Sequence, residues 1–215
     1  MKCWYRNICG LWLWTLICTA WSLRALAGGC AVSDGSVLPT DDGCMLAFAY
    51  NQKGGDRLVV IEEKNRRRYE APLASPGMAP FWEAGKVYVV AHSGSMRGFV
   101  IGSDKLIPEK AETICAEVVR TAEYSRGQHR LYLIRSFWDD GRKSFLHELS
   151  AIDFPARKTL WTKRLDDPGL LSIRERYVCV VGLKLVQVFS CDTGEKPAGV
   201  DAAKTGTPAN PDARK

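Results

Sequence analysis

Apolar positions in this chain fall in short runs, not in helical stripes. The runs are MLAFAY (45–50), LVVI (58–61), VYVV (87–90), FVI (99–101), LYLI (131–134), FLHELSAI (145–152), YVCVV (177–181) and LVQVF (185–189). They are rich in β-branched and aromatic residues, and turn formers such as QKGGD, HSGSMRG, DDGRK and CDTGEK separate them. Short runs bounded by turn chemistry predict β-strands joined by tight turns. VYVV and YVCVV are apolar at consecutive positions, which predicts strands buried on both faces. One stretch, Glu109–Val119, has apolar residues (Ile114, Val118, Val119) at roughly helical spacing.

The runs recur. MLAFAY, VYVV, LYLI and YVCVV begin at 45, 87, 131 and 177, so the steps are 42, 44 and 46 residues. A second apolar run follows each of them. A period of ~40–45 residues with several strands per repeat is what propeller blades show. The expected fold is therefore all-β, with about four blade-like antiparallel β repeats in a propeller-like arrangement or an incomplete propeller. Four such repeats make the smallest closed ring.

The clearest repeat is LSAIDFPARKTLWTKRL (149–165). Ala151-Ile152-Asp153 ends one strand, Pro155-Ala156-Arg157-Lys158 turns the chain, and Trp161 lies in the next strand. This resembles the repeat of the quinoprotein-type (PQQ-like) β-propellers, except that Arg157 stands where that family usually has glycine. A second copy at 188–195 keeps Asp192 and a Thr193-Gly194 turn but has no tryptophan after it. The physics of the pattern is simple. Aspartate bonds its own turn, glycine accepts positive φ, and tryptophan supplies area between stacked blades. In the enzymes of that family the resemblance implies a redox cofactor clamped by adjacent cysteines in a full-size propeller. This chain has no such cysteine pair and is much shorter, so no cofactor is expected. The non-enzymatic branch implies a periplasmic scaffold, such as an outer-membrane assembly lipoprotein, whose partner is another envelope protein.

The ends carry the targeting signals. Residues 1–27 hold Lys2 and Arg6, an apolar stretch from Ile8 to Leu23, and then Ala25-Leu26-Ala27, which read as a signal peptide cleaved after Ala27. Two other readings stay open. One is an uncleaved anchor, although the stretch is short of the ~20 residues that span a bilayer. The other is lipidation of Cys30, since Leu26-Ala27-Gly28-Gly29-Cys30 is like a lipobox with Ala27 at the usual leucine position. Each predicts an exported chain, periplasmic, secreted or membrane-anchored through its N-terminus. Residues 28–43 read as an extended lead-in, 44–195 as the β-repeat domain and 196–215 as a disordered tail poor in buriable residues.

Charge and cysteine content narrow the partners. Removing Lys2, Arg6 and Arg24 from 30 basic residues leaves 27 against 24 acidic ones, so the net charge falls from +6 to about +3. A mixed, mildly basic surface gives no reason to expect nucleic acid. Lys64–Arg68 reads as a solvated hairpin tip. Beyond the leader five cysteines remain: Cys30, Cys44, Cys115, Cys179 and Cys191. Export predicts disulfides. If Cys30 is lipidated, the other four allow two bonds in three connectivities. If not, Cys30–Cys44 is a candidate staple.

Catalytic signatures are weak. His92-Ser93-Gly94-Ser95 lies in a predicted turn and is not a nucleophile elbow. Asp139-Asp140-Gly141 lacks the alternating oxygens of a calcium loop. His147 and Glu148 are strand neighbours that point to opposite faces and form no dyad. Cysteine and histidine spacing matches no metal set. Trp82, Trp138 and Trp161 lie at strand ends, and Phe81 and Phe137 precede two of them. Phe137-Trp138 at a loop tip is a candidate partner contact. The reading is an exported protein-binding or assembly module. The alternative is a small exported enzyme, such as a hydrolase, whose site the sequence does not reveal.

Overall fold

A computed structural model describes residues 32–40, 43–52, 55–78 and 80–197. The leader (1–27), Cys30 and the tail from 198 lie outside the described residues, as does any lipidation or cleavage there.

The chain forms sixteen strands among the described residues, in four antiparallel sheets. Blade 1 contains β1 (Val32–Thr40), β2 (Gly43–Gln52), β3 (Gly55–Glu62) and β4 (Arg68–Pro72). Blade 2 contains β5 (Phe81–Glu83), β6 (Lys86–Val90), β7 (Ser95–Ile101) and β8 (Leu106–Pro108), with β9 (Glu112–Thr113) paired to β7. Blade 3 contains β10 (Val118–Ser125), β11 (Arg130–Asp139), β12 (Ser144–Asp153) and β13 (Lys158–Leu165). Blade 4 has three strands, β14 (Gly169–Arg174), β15 (Tyr177–Gly182) and β16 (Val186–Ser190). The four sheets are arranged as the blades of a β-propeller. Glu109–Val119, expected to be helical, instead supplies β9 and the start of β10. Ile114 and Val119 pack into the blade 2–3 cluster while Val118 is exposed, so tertiary packing overrides the helical spacing.

Strands run up and down within each blade, so the turns collect on two rims. The near rim holds turns 84–85, 126–129, 154–157, 175–176 and 191–195. The far rim holds 91–94, 139–143, 166–168 and 183–185. One near-rim turn reaches every other blade. Arg126 Nη1 donates to the Pro39 carbonyl of blade 1 at 3.0 Å, and His129 Nδ1 lies 3.0 Å from Glu83 Oε1 of blade 2. Gln128 Nε2 donates to the Glu175 carbonyl of blade 4 at 2.7 Å.

Apolar side chains pack between blades, not within them. Leu38, Ala47, Leu58, Val60 and Tyr69 of blade 1 meet Val87, Val89, Phe99 and Leu106 of blade 2. Met78, Phe81, Tyr88 and Val90 of blade 2 meet Leu131, Leu133, Ile152 and Phe154 of blade 3. Tyr132, Ile134, Leu149, Ala151 and Leu165 of blade 3 meet Val178, Val180 and Phe189 of blade 4. VYVV is therefore buried on both faces, as expected. YVCVV is not. Val178 and Val180 are buried, but Tyr177 and Val181 are exposed and Cys179 is half-buried. Blade 3 covers one face of that strand, and among the described residues no apolar cluster covers the other.

The repeat turns explain the missing glycine. Gly194 has φ +69°, and Arg157 at the matching position has φ +55°. A left-handed non-glycine residue costs about 1–2 kcal/mol. Arg157 offsets this with an ion pair to Glu112 (2.9 Å) and a guanidinium 3.9 Å above the Phe154 ring. Asp153 Oδ1 accepts from the Ala156 backbone N–H at 3.2 Å, the turn bond its position implies. Trp161 of blade 3 lies against Gly194 of blade 4, where an added Cβ would come within 2.7 Å of the indole. Its Nε1 donates to the Cys191 carbonyl at 2.9 Å.

The expectation of two bonds among the four cysteines after Cys30 is corrected, while the Cys30–Cys44 candidate lies outside the described residues. Cys44, Cys115, Cys179 and Cys191 form no bond with one another. Cys44 is in blade 1 and Cys115 joins the blade 2–3 cluster. Cys179 and Cys191 share blade 4, but Cys191 faces blade 3 while Cys179, between Val178 and Val180, faces away. Burial also pushes the Cys115 and Cys179 thiols up, which disfavours the thiolate needed for exchange.

Trp161→Ala removes interface area and a hydrogen bond together, and is expected to cost about 3 kcal/mol. In a chain of this size that lowers Tm by roughly 6–12 °C. Exposed Trp138→Ala is the control, with a smaller change of about 1 kcal/mol, the scale of one exposed ring pair. Thermal melts of both variants check the contrast.

Candidate functional site

The far rim of blade 3 carries the most exposed aromatic surface among the described residues. Trp138 and Phe145 face each other across β11 and β12, immediately beside the 139–143 turn. They are 51% and 56% exposed, and their rings meet edge to face at 5.2 Å. Edge-to-face pairing of this kind fixes ring orientation. Trp138 Nε1 donates to Asp140 Oδ1 at 3.0 Å. Asp139 Oδ1 accepts from the Gly141 and Arg142 backbone N–H groups at 2.9 and 3.3 Å, closing the turn. The Asp139-Asp140-Gly141 motif thus orders a tight turn and holds the indole.

Phe137 behaves differently from its neighbour. Strand alternation turns it to the blade 2 side, where it is half-buried. The exposed partner of Trp138 is Phe145, which sequence reading placed inside a long apolar run. Its signal was the turn DDGRK, whose hairpin register sets residues 138 and 145 opposite each other. Trp82 packs on the blade 1–2 cluster and Phe81 lies within the blade 2–3 cluster, so neither is exposed.

A polar anchor lies below the aromatic pair. Ser136 Oγ is 2.6 Å from His147 Nδ1 and accepts from Arg120 Nε at 3.1 Å. Ser136 and His147 are a cross-strand pair eleven residues apart, which no local motif signals. Since Arg120 already donates to the serine oxygen, the hydroxyl proton is free to point at Nδ1. The serine is buried, so this pair fastens strands and presents no nucleophile to solvent. Burial, and then the Arg120 charge, hold the His147 pKa below its ordinary value. Glu148 faces the other way and pairs with Arg135 at 2.8 Å. His92 bonds the Val119 carbonyl at 2.8 Å, while Ser93 bonds Ser95 at 3.1 Å, so those turn residues converge on no common point.

Between blades 2 and 3 lies a polar cleft of about 400 Å³ lined by Lys86, Tyr88, Glu109, Lys110, Glu112 and Arg157. Lys86 pairs with Glu109 at 2.6 Å and Arg157 with Glu112 at 2.9 Å. These pairs neutralise four of the five charged side chains in the lining. On the far rim of blade 4, Asp167 Oδ2 accepts from the Lys184 and Leu185 backbone N–H groups, which lowers its pKa and fixes the 183–185 turn. Among the described residues no group of three acidic, histidine or cysteine side chains could hold a metal ion.

The His147 shift has a definite pH consequence. A histidine with a depressed folded pKa favours the neutral form, so its contribution is present above the unfolded value of about 6.5. It is lost as pH falls from there through the lower folded value. The wild type should therefore lose more thermal stability between pH 7.5 and pH 5 than His147→Gln, as measured by paired melts.

No family model matches the sequence, and no curated protein matches it. Solved structures do resemble the fold. BamB from Moraxella catarrhalis aligns at 14% identity over 77% of this chain and 63% of its own, with TM-score 0.45. Sqt1 from Saccharomyces cerevisiae aligns at 13% identity over 77% of this chain and 47% of its own, with TM-score 0.56. The β-propeller domain of Myceliophteria thermophila Cps50 (Swd1) aligns at 11% identity over 80% of this chain and 56% of its own, with TM-score 0.52. The chain thus spans roughly half to under two thirds of the structures it resembles. In architecture, it is a β-propeller protein.

Proposed function

We propose that this chain is an exported protein-binding or assembly module whose contact surface is centred on Trp138 and Phe145. The observation that carries the reading is the preorganised aromatic pair on the far rim. Two large rings are fixed by a turn, a hydrogen bond and a buried strand fastener, yet half of each faces solvent. Rigid exposed aromatics lose little entropy on contact and dominate the energetics of protein interfaces. The propeller architecture of Sqt1 and Cps50 fits the same use. Export rests on the leader at 1–27 and the Cys30 motif, and an envelope protein is the partner that goes with it.

A photo-crosslinking residue at Arg142, exposed in the turn beside the pair, tests the contact. One discrete adduct from envelope extracts is expected, weakened at least about tenfold by the double variant Trp138→Ala/Phe145→Ala. The same probe at Val100, exposed in blade 2, should give no such adduct. Equal labelling with and without the aromatics overturns the site. Export has its own test. Mass spectrometry of the mature chain should show an N-terminus at Gly28 or a lipid on Cys30, and an intact Met1 on a chain recovered in the cytoplasmic fraction overturns it.

A further inference from the structure

The last blade ends on a face built like an interior one. The two-residue turns 84–85 and 175–176 align β6 with β15, so Val87, Tyr88, Val89 and Val90 match Val178, Cys179, Val180 and Val181. In blades 2 and 3 the residues facing the following blade, Tyr88, Val90, Tyr132 and Ile134, are all buried. The matching Val181 is 44% exposed. Its cross-strand neighbour Leu170 is 73% exposed, and Val186, on its other side, extends the row.

The opposite end mirrors this. Blade 1 turns Leu38, Ala47 and Val60 towards blade 2. Alternation therefore directs Val37, Leu46 and Ile61, which pair in one row across β1, β2 and β3, away from it. Val37 is 51% exposed. Each internal interface joins a face that looks forward along the chain to one that looks back. Among the described residues no apolar cluster covers either end face, although Val59 on the blade 1 face is buried and Leu46 and Ile61 are half-buried.

We infer that the two end faces mate between two copies of this chain, head to tail, in a closed two-fold ring of eight blades. A head-to-tail contact either closes into a ring or propagates as a filament. Two arcs of four blades give eight, at the upper end of the four to eight typical of propellers. Coverage of 47% of Sqt1 and 56% of Cps50 shows that larger propellers accommodate an arc of this shape. The inner strands, which approach each other at internal interfaces (β1 with β5, β10 with β14), place Leu170 and Val37 in the new contact zone. This surface is separate from the Trp138 rim, and the inference stands or falls without it.

The test uses protein purified from cells expressing all 215 residues. Light scattering across micromolar concentrations should give twice the chain mass. Leu170→Asp and Val37→Asp should each weaken dimerisation at least about tenfold while keeping a cooperative melt. Mixing the two variants should restore dimers, because a mixed ring regains one interface with two unaltered faces. If Leu170→Asp fails to melt cooperatively, Tyr177→Asp on the same face replaces it. A single-chain mass at every concentration overturns the ring. So does open-ended growth, dissociation by the blade 4 variant alone, or a mixture that stays monomeric.

Discussion

Every blade of this protein is a sheet with two faces to bury and no interior of its own. That constraint explains why apolar residues occur at consecutive positions in β6 and β11, and why the core is three interleaved layers. Cross-blade packing also explains where the polar groups go. They sit at the rims, where turns end the strands, or in clefts where two charges can pair. Buried Ser150 and Gln187 are exceptions, and so are Ser136 and His147 below the aromatic tip. The latter two are a polar pair inside a blade interface, tolerated because Arg120 completes their bonding.

The fold was legible in the sequence because propeller repeats are local. Strand runs, turn residues and a period near 44 residues are written in neighbouring positions, and blade order follows chain order. Asp153 and Trp161 were readable as architectural for the same reason. Arg157 showed the limit. A left-handed residue without glycine is stabilised by Glu112 and Phe154, and Glu112 is 45 residues away. Cysteine number was readable, whereas cysteine position was not, since two residues of one blade can point to opposite faces. Phe145 was hidden by its run, because exposure depends on where a strand outruns its neighbour.

The two surfaces differ in kind. The Trp138 rim is small, rigid and carried on a hairpin tip, as binding positions on rigid scaffolds often are. The end faces of blades 1 and 4 are broad and strand-built, and their residues match those of the internal interfaces. A tip suits recognition of a partner, while a face suits permanent assembly. The same chain can carry both without competition, because one lies along the blade axis and the other across it.

The turn at 126–129 hydrogen-bonds to blades 1, 2 and 4 from blade 3. A brace of that kind sets curvature. The apolar layers tolerate small sliding, but three hydrogen bonds from one short turn fix the angle through which successive blades rotate. Remodelling Arg126, Gln128 or His129 would change the angles between blades without touching the core. Through those angles, a few polar atoms on one rim govern how the four blades sit about their common axis.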